Sequence, residues 1–222
     1  MSSTPSTTAS TAAEQAPSGP VLQLLAGALQ LWLRQQVEVE GHLNLQLHGS
    51  ALNLLRGRLE GVSLQARRVT YNDLQIELVD LRSGAIRVHT ANLLKGKSLQ
   101  LDHAFSVSGQ VSFCPEGLNR SFSRARWRGL ADWLAEQLLG ITPLQDLRIN
   151  GNRLVLVAQG VASGDRVELE TCLAATPQGL AIQAADGQRE LLRVPVDPAI
   201  ALDSARIEAG MVVLEGTAQV TP

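Results

Sequence analysis

The 222-residue chain is poor in aromatic residues and in cysteine. Phe, Trp and Tyr make up only 3% of it, so its core must be built mainly from aliphatic side chains. The two cysteines, Cys114 and Cys172, could pair in principle, but without an export signal we expect free thiols in a reducing compartment. The sequence has no run of eighteen apolar residues, which argues against a transmembrane helix.

Recognisable catalytic and metal-binding motifs are also missing. The four histidines, His42, His48, His89 and His103, have no Asp, Glu or Cys beside them at a convincing metal-ligand spacing. No glycine-rich phosphate loop, nucleophile elbow or cysteine-pair motif occurs. A net charge of -2 gives no general attraction to nucleic acid. We therefore expect a protein that is not an enzyme, needs no cofactor or metal, and does not bind nucleic acid.

What the chain does have is enough apolar residues, 45% of the total, for a folded domain with a sizeable core. Leucine dominates, and a leucine-lined interior suits an ordinary core or an acyl-chain cavity, because buried methylene groups need no polar partner. Residues 1–19, rich in Ser, Thr, Ala and Pro, are predicted to be a disordered tail, and residues 20–222 a single domain. Because the tail lacks a signal-peptide pattern, we expect a cytoplasmic protein, with peripheral attachment to a membrane left open.

The first ordered element is predicted to be a helix over residues 20–36. Its apolar residues cover most of its surface, and Pro20 suits the first helical turn. Such a helix is either clasped by a sheet or lies on a membrane surface. Its polar side carries the single cation Arg34, which favours the clasped arrangement, since interfacial helices are usually richer in Lys and Arg.

Most of the remaining chain shows strand patterns. Unbroken alternation over residues 99–113 predicts one strand of roughly 50 Å, whose apolar face needs an equally long cover. Earlier strands, joined by short turns such as the one at Asn72 and Asp73, predict an antiparallel meander. The alternation changes parity at Arg67 and Arg68, which predicts a β-bulge.

Residues 115–140 break this pattern with apolar residues at helical spacing. They are predicted to form two helical pieces that end at Gly140. Strand patterns then return as far as Val220, and the pattern leaves open whether the two sheet-forming stretches form one sheet or two. The predicted fold class is α+β, mainly β: a long curved antiparallel sheet wrapped around an N-terminal helix, with a central helical segment.

A basic cluster stands at the middle of this helical segment. Guanidinium groups match phosphate geometry and tryptophan prefers membrane interfaces, so the cluster is a candidate for head-group or membrane contact. The other interpretation is a solvated helix face whose arginine stems lie on apolar surface. Its members are Arg120, Arg124, Arg126, Trp127 and Arg128.

Several short motifs occur in a characteristic order. They are Leu54-Leu55-Arg56-Gly57, then Leu59, Val62 and residues 66–69, Tyr71-Asn72-Asp73-Leu74, Asn92-Leu93-Leu94-Lys95-Gly96, and Pro115-Glu116-Gly117-Leu118-Asn119. In this order, over roughly residues 22–220, they resemble the LmeA-like phospholipid-binding domain family of bacteria. The resemblance implies a curved sheet around a helix, as in tubular lipid-binding proteins, and phospholipid bound by apolar side chains. Characterised relatives act in the cell envelope, whereas this sequence shows no export signal.

The expected function is non-enzymatic binding or transfer of phospholipid or a similar amphiphile in an apolar groove, with peripheral contact to an anionic membrane. The alternative is a structural or protein-interaction scaffold with a filled core. Neither interpretation predicts an oligomeric state. The residues expected to line the groove are Leu25, Leu29, Trp32, Val62, Leu64, Leu74, Ile76, Leu101, Phe105, Val107, Val111 and Phe113.

Overall fold

The computed structural model describes residues 34, 37–50, 52–53, 56, 58–87, 103–160 and 164–221. This part of the chain is mainly β, with antiparallel strand pairing and two helices, which confirms the predicted mainly β character and the central helical segment. The predicted N-terminal tail and, apart from Arg34, the predicted helix over residues 20–36 lie outside the described residues, and so do Leu25, Leu29, Trp32 and Leu101.

The described strands form two main sheets, which answers the question that the sequence pattern left open. The first sheet has the order β1 (Glu38–Val39), β4 (Gly61–Tyr71), β5 (Leu74–Ser83), β7 (Phe105–Phe113), β14 (Met211–Val220) and β13 (Ile200–Glu208), and β2 (Leu43–His48) also pairs with β4. The second sheet has the order β12 (Glu190–Val194), β11 (Gly179–Ala184), β10 (Arg166–Thr176), β9 (Arg153–Gln159) and β8 (Leu144–Asn150). Two short strands, β3 (Arg58–Leu59) and β6 (Ile86–Arg87), form a separate ribbon.

Strand β7 begins later than the alternation of residues 99–113 predicts. His103 is in a bend and Ala104 is not in a strand, and both are exposed. The strand pairing explains the later start of β7. The first residue of β7 that pairs with β14 is Phe105, opposite Val220, and the first that pairs with β5 is Val107, opposite Ser83. The described chain offers residues 103 and 104 no strand partner beyond those pairs, so their backbone groups are not drawn into the sheet.

The parity change predicted near Arg67 and Arg68 is present, but the bulge is in a neighbouring strand. Ala66 and Val69 pack into the same hydrophobic cluster although they are three residues apart, and Arg68 between them has φ +50°. Strands β4 and β5 keep one register across this point. The opposing segment, residues 39–43, has five residues where β4 has four, residues 66–69. The extra residue of the bulge therefore lies in that opposing segment.

The helical segment consists of two helices, as predicted: α1 (Pro115–Phe122) and α2 (Ala125–Leu139). Cys114 caps α1, its Sγ accepting a hydrogen bond from the Gly117 N–H at 3.3 Å. Helix α2 ends at Gly140, which has φ +71° and donates its N–H to the Glu136 carbonyl. The left-handed conformation at this position suits glycine because it has no Cβ to clash.

Helix α1 is hydrogen-bonded to both sheets. The buried Ser121 hydroxyl donates to the Gly117 carbonyl at 2.7 Å and accepts from the Gln75 N–H of β5 at 2.9 Å. The Asn119 side chain accepts from the Leu147 N–H of β8 at 2.9 Å and donates to the Leu147 carbonyl at 3.0 Å. Asn119 thereby imitates a strand partner for β8, an edge of the second sheet, and links that sheet to the first through α1.

The largest described core lies between α2, the second sheet and one end of the first sheet. Buried α2 residues such as Ala131 and Leu134 pack with Leu156 of β9 and with Phe113 and Val212 of the first sheet. This core covers one end of the first sheet's apolar surface and so determines which part of that surface is available for a site.

Candidate functional site

The register of the first sheet places its apolar side chains on one face, which we call the apolar face. Directly opposed residues of antiparallel strands project to the same side, so each ladder pair can be assigned to a face. One row crosses the whole sheet through Leu45, Leu64, Leu81, Gly109, Gly216 and Leu202. The parallel rows contain Leu43, Ala66, Val79, Val111, Leu214 and Ala205 on one side, and Leu47, Val62, Val107, Ala218 and Ile200 on the other.

The groove residues proposed from the sequence are brought together on this surface, so far as they lie within the described chain. By register, Val62, Leu64, Phe105, Val107, Val111 and Phe113 are on the apolar face. Leu74 and Ile76 lie beyond the parity change and pack on the same core as Phe113. All are half-buried except Phe113, which is 8% exposed. They lie side by side on β4, β5 and β7 and form one surface, and they do not form two facing walls of a groove.

The register brings residues without large side chains together at the centre of the apolar face. Gly109 of β7 lies opposite Gly216 of β14. The next pair on the same face, toward the start of β7, is Val107 with Ala218. These four residues, which we call the central trough, present small or absent side chains, whereas Leu81 and Leu202 flank the glycine pair. Glycine inside a strand often marks a place where another group comes close to the backbone, and that signal was readable at both positions.

The two described helices cover one end of the apolar face by way of the main core. Phe113, Val111, Leu214 and Val212 belong to or pack against this core. Val107 lies six residues before Phe113 on β7, which corresponds to about 20 Å at the usual rise of a strand. The Val107 end of the central trough therefore lies well beyond the part of β7 that packs on α2.

The basic cluster lies around the junction of α1 and α2. Arg124 is the N-cap residue of α2, and Arg124, Arg126 and Arg128 are all exposed. Arg128 pairs with Asp132 at 3.3 Å, whereas Arg124 and Arg126 form no ion pair with any described residue. Arg120 is exposed, and its Nε donates to the Glu116 carbonyl at 3.3 Å. The structure thus keeps the arginines together at the surface.

Trp127 has a different position from the arginines around it. It is half-buried, and its indole Nε1–H donates to the Asn72 carbonyl at 2.8 Å. Asn72 lies at the tip of the β4–β5 hairpin, so this hydrogen bond attaches α2 to that tip. The neighbouring Tyr71 is 51% exposed and adds an amphipathic side chain to the same end of the molecule.

A cleft of about 460 Å³ lies beside the same hairpin tip. We call it the hairpin cleft. It is open to solvent and combines charged, polar and aliphatic side chains, and the sequence pattern does not predict it. Its lining residues are Arg34, Val37, Glu38, Val39, Thr70, Asn72 and Asp73.

Features of catalytic or metal chemistry are not found in the described chain. No group of His, Cys, Asp and Glu there is arranged to hold a metal ion, and Cys114 and Cys172 are free thiols. The pKa of Arg148 is raised by its hydrogen bond to Asp146, and that of Arg206 by its hydrogen bond to Glu208. Both guanidinium groups are exposed and cationic at neutral pH, so these shifts provide no acid or base.

The fold and the site define an antiparallel β protein with a helix-covered core and an extended apolar sheet face. A family model described as LmeA-like phospholipid-binding matches residues 17–217, and the chain belongs to this family. The resemblance seen in the sequence motifs is thereby confirmed. No curated protein and no solved structure matches the chain. Among the described helices, none is long and apolar enough to cross a membrane.

Proposed function

We propose that the protein binds a phospholipid or similar amphiphile, without catalysing a reaction, in a groove along the apolar face of the first sheet. The central trough is the observation that supports this location most directly. It provides an apolar floor at Gly109 and Gly216 between the taller leucines of β5 and β13. An acyl chain lying there contacts the leucine side chains and the Cα atoms of the two glycines, and it needs no polar partner.

The energetics favour this use of the surface. Each methylene group that leaves water contributes about 0.8 kcal/mol, so even part of one acyl chain is worth several kcal/mol. The half-buried state of Val62, Leu64 and Val107 means that these side chains still have apolar area to bury. We further propose that the helix predicted over residues 20–36 lies along this groove, that bound lipid is transferred between membranes, and that the protein works in the cytoplasm as a peripheral membrane protein.

Native mass spectrometry of the full chain, purified from a bacterial host and followed by organic extraction, tests the proposed function. We expect phospholipid to co-purify at a near-stoichiometric ratio, because burial of about fifteen methylene groups contributes about 12 kcal/mol, which corresponds to a nanomolar Kd. A mass that equals the bare polypeptide, and stays so after incubation with mixed phospholipid vesicles, would favour a scaffold with a filled core.

We also propose that the basic cluster contacts the surface of an anionic membrane. Each arginine near such a surface contributes about 1 kcal/mol of attraction, which is screened by salt. The exposed positions of Arg124, Arg126 and Arg128 support this role, and Trp127 keeps them beside the hairpin tip.

Replacing Arg124, Arg126 and Arg128 together by Gln is expected to weaken adsorption to anionic vesicles by about tenfold or more at low salt. A vesicle co-sedimentation assay over a salt series measures this effect. The matched control replaces Arg148, Arg153 and Arg166 of the second sheet by Gln, with the same change of net charge. Equal loss of adsorption in both variants would show that net charge, and not the basic cluster, causes the binding.

A further inference from the structure

The hairpin cleft carries charges of both signs. Arg34 provides a guanidinium group, Glu38 and Asp73 provide carboxylates, and Thr70 and Asn72 provide neutral polar groups. Arg34, Glu38 and Asp73 are all exposed, and none of them forms an ion pair with another described residue. Their charges are therefore available to a ligand that enters the cleft.

The backbone fixes where the two carboxylates stand. Glu38 lies directly opposite Thr70 in the β1–β4 ladder, so the carboxylate and the hydroxyl project from the same side of the sheet. Asn72 and Asp73 form the two-residue turn of the β4–β5 hairpin, with φ +50° and +64°. These are the positive values that a type I′ turn needs, and Asn and Asp tolerate them better than most residues.

We propose that the hairpin cleft is a head-group pocket for a zwitterionic phospholipid that carries a primary ammonium group and a phosphodiester. This inference rests on the proposed lipid-binding function. The Arg34 guanidinium pairs with the phosphodiester oxygens, and Glu38 and Asp73 accept hydrogen bonds from the ammonium group. The half-buried Val37 and Val39 contact the aliphatic part of the ligand.

The charges and side chains of the cleft discriminate among head groups. An anionic head group without an amine can pair with Arg34 but brings no cation of its own for Glu38 and Asp73. A quaternary ammonium group has no N–H to donate and is usually held by aromatic faces, and the seven described residues that line the cleft include no aromatic side chain. A primary ammonium group has three N–H donors, which match two carboxylates and a hydroxyl.

The position of the cleft fits this use. Asn72 lines the cleft and accepts the hydrogen bond from Trp127, so the basic cluster and the cleft share one end of the molecule. When the arginines contact a membrane surface, the cleft lies near the depth at which head groups are found. The basic cluster then attracts the membrane as a whole, and the cleft selects the lipid.

The test offers the full chain vesicles with equal amounts of phosphatidylethanolamine, phosphatidylglycerol and phosphatidylcholine of identical acyl chains, and reads the bound lipid by native mass spectrometry. The wild-type protein is expected to take up phosphatidylethanolamine at least about fivefold over the other two. The double variant Glu38→Gln with Asp73→Asn is expected to lose this preference while still binding lipid. The control variant, Glu136→Gln with Asp203→Asn, makes the same charge change at exposed positions far along the chain.

Each outcome supports or contradicts the inference. Asn is well tolerated at φ +64°, and the single variant Asp73→Asn provides a second measurement if the double variant fails to fold. Uptake of the three lipids in equal amounts by the wild type, or an unchanged preference in the Asp73→Asn variant, would overturn the head-group assignment but leave lipid binding intact. Failure of the wild type to bind any of the three would contradict the proposed function itself.

Discussion

Replacing Gly109 by Ala is expected to lower the free energy of unfolding by about 2 to 4 kcal/mol. Gly109 has φ +147°, a backbone conformation that residues with a side chain rarely adopt. A Cβ added there would overlap the Asp80 carbonyl oxygen and would lie only 2.9 Å from the Cα of Leu81. Because the obstacle is the backbone of β5 and not a flexible side chain, the sheet itself must shift. Chemical denaturation, monitored by circular dichroism, measures the loss.

Gly129→Ala is the matched control for this prediction. Gly129 lies in α2, and a Cβ added there would meet nothing within 4 Å. The substitution is expected to stabilise the protein by about 0.5 to 1 kcal/mol, since alanine favours a helix over glycine. If Gly109→Ala were as stable as the wild type, the close approach of β5 and β7 at this point would be wrong, and with it the shape of the central trough.

Replacing Val107 by Trp is expected to reduce the lipid that co-purifies with the protein by about tenfold, equivalent to about 1.4 kcal/mol of binding free energy. Val107 is half-buried on the apolar face, and its ladder partners are Ser83 and Ala218. Both partners are small, so an indole can lie over them and fill the central trough without forcing the strands apart. Native mass spectrometry gives the lipid ratio, and thermal unfolding shows whether the fold is retained.

Ser108→Trp provides the control for Val107→Trp. Ser108 is the next residue in β7, is exposed, and projects from the opposite, polar face of the sheet. The same bulky side chain is therefore added to the same strand without entering the groove. If Val107→Trp left both stability and bound lipid unchanged, Val107 would not line the binding site. Equal losses in the two variants would indicate damage to β7 in general.

Local patterns in the sequence predicted much of the architecture. The alternation of β4, β5 and β7 depends only on which side chains must leave water, so it could be read without a structure. The two pieces of the helical segment and the end of α2 at Gly140 were also predictable, because a left-handed C-cap is a local property of the chain. The same holds for the hairpin turn at Asn72 and Asp73.

Pairing between distant segments was not predictable in this way. The C-terminal hairpin of β13 and β14 joins the first sheet beside β7, although the second sheet and both helices lie between them in the sequence. No local signal distinguishes that partner from the nearer strands of the second sheet, since each presents a similar alternating pattern. The bulge opposite Ala66 and Val69 was placed in the wrong strand for the same reason, because it depends on the register of the opposing segment.

The sequence by itself determined that the protein is mainly β, that its strands carry an apolar face, and that it belongs to the LmeA-like phospholipid-binding family. These properties follow from side-chain periodicity and from the order of short motifs, both of which are local. Only the tertiary structure brought Gly109 and Gly216 together in the central trough and placed the hairpin cleft beside the basic cluster. Both sites arise from contacts between segments far apart in the chain, where register and packing decide which side chains meet.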